Sequence, residues 1–138
     1  MSTPTVLFLC QHNAVRSQLG AALLEILAPD DYTIISGGTT PADTMNPAIA
    51  ATIAELGPDI TDRTPRTVTA QDLATADIVI AMKPGLALPA TPAGRFLEWS
   101  FPDPTDWTPK NVRPLRDSVT ARIQETLLAP SLAEGAPG

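Results

Sequence analysis

"VLFLCQHNAVRSQLG" (Val6 to Gly20) decides how this chain is read. Val6 to Leu9 is a short, unbroken apolar run, the mark of a strand buried on both faces. Arg16 to Leu27 carries Leu19, Leu23, Ile26 and Leu27 at helical spacing, and Pro29 stops it. Between strand and helix stands the only cysteine, Cys10, followed by Gln11, His12, Asn13, Ala14 and Val15, then Arg16 and Ser17. A loop of this length entering a helix N-terminus can aim several backbone N–H groups at one point and so hold an anion. The Arg16 guanidinium can bind two oxygens of a tetrahedral oxyanion. A thiol at the mouth of such a site feels the amides, the helix dipole and Arg16, and each favours the thiolate. The Ser17 hydroxyl can donate to it, and Asn13 is the loop residue best suited to a left-handed turn. A lone cysteine is also commonly an inert buried filler. The strand–loop–helix context and Ser17 favour the nucleophile.

Outward from this unit, Tyr32 to Ile35 reads as a second strand, stopped by Ser36-Gly37-Gly38. Pro47 to Leu56 reads as a helix, with Asn46 as N-cap, Pro47 at its first position and Gly57 past its last turn. Thr61 to Thr69 is polar and interrupted by Pro65, hence a loop. Ala70 to Ala74 is a short helix, and Ile78 to Met82 another apolar strand. Lys83 to Ala93 is a Pro- and Ala-rich loop, and Arg95 to Trp99 the last strand. Pro109 to Leu128 is a long helix with Val112, Leu115, Val119, Ile123 and Leu127 on one face. Alternation of apolar strands with helices predicts an α/β fold: a three-layer sandwich around a four-stranded parallel sheet, with ligands at the carboxyl ends of the strands. One domain over residues 1–128 is expected. The stretch 129–138, "APSLAEGAPG", has no periodicity and is expected to be a frayed tail.

The 138 residues are 43% hydrophobic but only 4% aromatic, so Val, Ile, Leu and Ala must fill the core. The net charge of −6 argues against a nucleic-acid partner, which needs a basic surface, but permits a small anion in a local positive field. One cysteine excludes an intramolecular disulfide and leaves zinc without its usual thiolates, so no metal is expected. "MSTPTVLFLC" lacks a charged leader region and a cleavage site, and no apolar run is long enough to span a membrane. A soluble, cytoplasmic protein is expected, with no bound cofactor.

At "CQHNAVRSQ" the chain resembles the low-molecular-weight protein tyrosine phosphatase superfamily, whose phosphate loop is C-x5-R-S after the first strand. Within it, C-x-x-N-x-x-R-S-Q is similar to the arsenate reductase branch. "IISGGTTP" (Ile34 to Pro41) resembles the family's Ser-Ala-Gly-Thr segment, with Gly37 in place of Ala. "ADIVIAM" (Ala76 to Met82) matches its third strand. "EWSFPDPTDW" (Glu98 to Trp107) matches the segment carrying an Asp-Pro general acid, and "VRPLRDSVTARI" (Val112 to Ile123) is similar to the last helix of actinobacterial arsenate reductases. The resemblance implies a flavodoxin-like winding. It implies Cys10, Arg16 and Asp103 as catalytic residues, and residues Gln11 to Ser17 as the oxyanion-binding loop.

A carboxylic acid at Asp103 could protonate a poor leaving group, whether an ester oxygen or hydroxide on arsenic. A turn aspartate is the competing reading of the dipeptide. His12 is expected to point outward. Arg63 and Arg66 read as solvated arginines that could add positive field. Trp99 and Trp107 could wall the cleft, with Trp99 equally suited to the core.

Two reactions share the first step, thiolate attack on the bound oxyanion. A phosphatase then uses water on a phosphocysteine. A reductase needs a second thiol to complete a two-electron step. Thioredoxin-coupled family members carry further cysteines near the end of the third strand, but "AMKPGLALPA" (Ala81 to Ala90) has none. The second thiol would then come from outside, as mycothiol or glutathione, with a mycoredoxin or glutaredoxin as partner. The Ala-, Pro- and Thr-rich composition and the last-helix match favour mycothiol. Aromatic residues that grip a phenyl ring usually follow the Asp-Pro of the phosphatases. Thr105 and Asp106 stand there, so arsenate reduction is the favoured reading and ester hydrolysis the alternative. A non-catalytic oxyanion-binding protein is a third.

Overall fold

The computed structural model describes residues 3–128; the stretch expected to fray, 129–138, lies outside them. The central strand β1 (Thr5–Cys10) is flanked by β2 (Thr33–Gly38) on one side and β3 (Ile78–Ala81) on the other. β4 (Arg95–Glu98) lies outermost beside β3, and all pairs are parallel. The chain steps from β1 to one neighbour, then crosses to the other, which is the expected winding. Cys10 ends β1 at that reversal, where the crevice of such a sheet opens.

Strand alternation sends Val6, Phe8 and Cys10 to one face and Leu7 and Leu9 to the other. The first set joins one buried cluster with Leu19 and Leu23 of α1 (Arg16–Leu27), Ile49 and Ile53 of α2 (Pro47–Ala54), and Val112, Val119 and Ile123 of α4 (Pro109–Ile123). The second set packs with Val68, Val79 and Leu73 of α3 (Ala70–Thr75), and with Leu86 and Leu88 from the following loop. Among the described residues the sandwich is therefore lopsided, with three α-helices on one face and one short helix plus loops on the other. A capping box starts α3: Thr69 accepts from the Asp72 N–H, and the Asp72 carboxylate accepts from the Thr69 N–H.

The structure corrects four expectations. β2 does not stop before Ser36-Gly37-Gly38 but runs through it. A Cβ at Gly37 would lie 3.2 Å from Val68, and one at Gly38 only 2.7 Å from the Gln11 carbonyl oxygen. These glycines let neighbouring backbone approach the strand, and they do not end it. α2 is two residues shorter than its apolar pattern; Asn46 caps it through the Ala48 N–H (2.8 Å) as expected, and Gly57 follows at φ 121°. α4 gives way at Gln124 to a π-helical turn, Gln124–Leu128, leaving Leu127 half-buried. β4 is not buried on both faces: it is the sheet edge, and Phe96 stays 41% exposed there.

Candidate active site

Residues 11–15 turn the chain from β1 into α1. Asn13 sits at φ 51°, the left-handed conformation that Asn tolerates better than most residues. The segment after β2 orients the loop. Thr40, Ala42 and Asn46 donate their N–H groups to the carbonyls of Gln11 (2.7 Å), His12 (2.9 Å) and Ala14 (2.9 Å), and Thr39 reaches that of Cys10 at 3.3 Å. The loop's carbonyls are thus taken from outside, while the N–H groups of residues 11 to 16 have no acceptor among the described residues. No side chain caps α1 at Val15. Free amides at an uncapped helix N-terminus form a cradle for an anion.

Beneath this cradle lies a buried polar set. Ser17 Oγ is 2.9 Å from Cys10 Sγ and accepts from Asn13 Nδ2 at 2.7 Å. Because the Ser17 oxygen already accepts from Asn13, its own proton is free to point at the sulfur. Gln18 Nε2 donates to the Asn13 carbonyl at 3.1 Å.

Above it opens a cavity of about 280 Å³. Cys10, Gln11, His12, Val15 and Arg16 form its floor and one side; Asp103, Trp107 and Lys83 complete it. Asp103 is ion-paired with Arg16. Arg16 Nε is buried without a partner, alone in this among buried side-chain nitrogens and oxygens of the described residues. An unsatisfied guanidinium N–H beside free amides is a donor set awaiting oxygen atoms. Asp106 pins the segment after Asp103, accepting from Thr108 Oγ1 (2.7 Å) and Asn111 Nδ2 (2.6 Å). The hydrogen bond from Thr108, then that from Asn111, holds its carboxyl below the ordinary carboxylate range.

The structure therefore gathers Cys10, Gln11, His12, Val15, Arg16 and Asp103 in one pocket. Asn13, Ala14 and Ser17 lie buried outside its lining. His12 is exposed, its Nδ1 3.0 Å from the Thr40 carbonyl oxygen. Neither arginine of the 61–69 loop lines the pocket: Arg63 pairs with Glu25 and Arg66 with Asp72. Trp99 belongs to the core, edge-on to Phe8 and Phe101, with Arg122 stacked over Trp99 and Phe101. Trp107, 36% exposed, is the tryptophan that walls the cavity. The sequence reading missed Lys83, which places its Nζ 3.2 Å from Gln11 Oε1. Its position just past β3, the neighbour of β1, was the available signal. No group of three His, Cys, Asp or Glu that could hold a metal occurs among the described residues, and none of their helices is long and apolar enough to cross a membrane.

A parallel sheet whose first strand delivers a thiol to a loop of free amides and a guanidinium defines the class of α/β protein that this chain is. Within that class the chain belongs to the low molecular weight phosphotyrosine protein phosphatase family, whose family model matches residues 5–117. Among curated proteins it is 31% identical to an arsenate reductase of Halalkalibacterium halodurans, over 90% of this chain and 95% of that one. It is 32% identical to a Halobacterium salinarum protein provisionally named an arsenate reductase, over 88% and 89%. Among solved structures it superposes on an arsenate reductase in the phosphate binding state with a TM-score of 0.80 and 26% identity, covering 93% of this chain and 98% of that one. The thioredoxin-dependent arsenate reductase Cg_ArsC1' of Corynebacterium glutamicum matches at 0.78 and 29%; the chain covers 64% of its length. The tyrosine phosphatase amsI of Erwinia amylovora shares the fold at 0.78, with 17% identity.

Proposed function

We propose that this chain reduces arsenate to arsenite, with Cys10 as nucleophile and Asp103 as proton donor. The Arg16 guanidinium and the loop from Gln11 through His12, Asn13, Ala14 and Val15 to Ser17 hold the oxyanion. The Cys10 thiolate attacks arsenic, the bond from arsenic to a hydroxyl oxygen breaks, and Asp103 protonates the departing hydroxide, which leaves as water. A second thiolate then attacks the Cys10 sulfur. The sulfur–arsenic bond breaks, its electron pair stays on arsenic, and arsenite departs from a mixed disulfide on Cys10. A further thiol or a redoxin reduces that disulfide. Free amides and a guanidinium in a half-enclosed pocket stabilise the charge that builds on the oxyanion.

The observation that carries this reading is the identity of 30% and more, across about nine-tenths of the chain, to proteins named arsenate reductases. Cys10 is the only cysteine in the sequence, so the second thiol is external. Mycothiol is favoured over glutathione, with a mycoredoxin as partner, in the cytoplasm where such thiols stay reduced. Steady-state arsenite production tests this: activity is expected with mycothiol and a mycoredoxin, and near silence with thioredoxin and its reductase alone. Full turnover with thioredoxin alone would refute the external-thiol scheme.

One observation favours the phosphatase reading: Trp107 on the cavity wall could stack on an aryl ring. Against it, the ionised Asp106 beside Trp107 repels acidic phosphopeptides. Brisk hydrolysis of p-nitrophenyl phosphate, with no arsenite formed in any thiol system, would decide for the phosphatase.

A further inference from the structure

We infer that Arg66, outside the pocket, is a positioning residue that sets which way the Ser17 hydroxyl points, and so whether it serves Cys10; this rests on Cys10 being the reactive thiol. Arg66 makes four hydrogen bonds, which tie β2, α3 and the Cys10 loop together. Its NH1 donates to the Ser36 carbonyl (2.7 Å) and its NH2 to Asp72 Oδ2 (2.8 Å). Its backbone carbonyl accepts from the Gly38 N–H at 2.9 Å. Its backbone N–H donates to Asn13 Oδ1 at 2.8 Å, across 53 residues of sequence.

That last bond matters because the two ends of a carboxamide have nearly the same shape and opposite hydrogen-bonding sense. With a fixed N–H against Oδ1, the NH2 end of Asn13 must face Ser17, as observed at 2.7 Å. The Ser17 oxygen then accepts, and its proton is left for Cys10 Sγ, 2.9 Å away. If the amide turned over, its oxygen would face Ser17 and draw that proton away from the sulfur. The other donor to Oδ1, Gln18 Nε2, stands at 3.4 Å and is too long to decide the orientation alone. The forked guanidinium, bound at both ends, keeps the Arg66 backbone in register with Asn13. Its anchor is an ionised Asp72: burial opposes the charge, but the bonds from the Thr69 N–H and from Arg66 outweigh it and hold the carboxyl below its ordinary range.

The test replaces the guanidinium and leaves the backbone N–H in place. Arg66→Met and Asp72→Asn are compared with Arg63→Met, which removes an ion pair from the same loop without touching Asn13. The readout is the rate of Cys10 alkylation by iodoacetamide against pH, which needs no arsenate turnover and so separates this inference from the reductase reading. Losing one aimed hydrogen bond to the thiolate should slow alkylation near neutral pH by about tenfold in Arg66→Met and move the profile to higher pH. The shift in Asp72→Asn should be smaller and in the same direction, and Arg63→Met should follow the wild type. Should Arg66→Met fail to fold, Asp72→Asn alone carries the test. A wild-type profile in the folded variants, or an equal shift in Arg63→Met, overturns the inference.

Discussion

Arg16 gives its guanidinium to Asp103 at the mouth of the pocket while its own Nε stays buried without an acceptor. The arginine is thus half-used, and Asp103, with 65% of its side chain exposed, competes for the donors an oxyanion needs. Asp103→Asn should therefore separate binding from turnover. Removing an exposed ion-pair competitor should tighten phosphate binding by about two- to fivefold. Loss of the proton donor should slow formation of the arsenic adduct by about 10²–10⁴-fold. Phosphate calorimetry and arsenite production measure the two, and weaker phosphate binding in the variant would count against the competition.

Cys10→Ser should abolish turnover and leave the melting curve close to wild type, since a hydroxyl can keep the contact with Ser17. Arg16→Lys should lower phosphate affinity by at least about tenfold. An ammonium cannot offer the paired N–H groups, and hydrogen bonds to charged groups are the stronger kind. Retained activity in the Cys10 variant would sink the mechanism.

Gly38 is where β2 touches the loop. An added Cβ would sit 2.7 Å from the Gln11 carbonyl oxygen and 2.8 Å from the Asn13 nitrogen. Both are backbone atoms, so no flexible side chain can yield. Gly38→Ala should cost about 1–3 kcal/mol of stability, the usual range for overpacking. It should also weaken phosphate binding by displacing the loop. Denaturant unfolding and phosphate titration read the two effects, and an unchanged affinity would show that the loop is indifferent to β2.

Glu55 joins α2 to α4. It accepts from Arg113 (2.6 Å to NH2) and Arg116 (2.9 Å to NH1). The hydrogen bond from Arg113 leads, with that from Arg116 adding to it against desolvation, and the carboxyl is held at about 2 in place of 4.5. A depressed folded-state pKa stabilises the fold while the group is ionised. The contribution is therefore full above about 4.5 and lost as pH falls toward about 2. The melting-temperature difference between wild type and Glu55→Gln should be constant above that window, shrink through it and also shrink with added salt, because the pair is exposed. A difference unchanged down to pH 2 would contradict this.

What the sequence determined by itself is the local machinery. Val6 to Leu9 announced a buried strand, and the helical spacing from Leu19 to Leu27 gave α1 its observed limits. The Asn13 side chain suits the left-handed turn it adopts, and Cys10, Arg16 and Ser17 fall at the spacing of one loop. All of these are encoded within a few residues, by side-chain period, capping and steric preference, and need no distant partner to be read. Tertiary structure alone decided the rest. It chose Trp107 over Trp99 as the cavity wall and added Lys83. It ran β2 through its glycines, because the Gln11–Asn13 backbone needed the space. It left β4 exposed at the edge, and it paired Asp103 with Arg16. The Arg66 N–H meets Asn13 only once β2, α3 and the loop are assembled. Contacts of that kind are set by the order in which strands join the sheet, and a period read along the chain carries no record of which distant segment will arrive beside it.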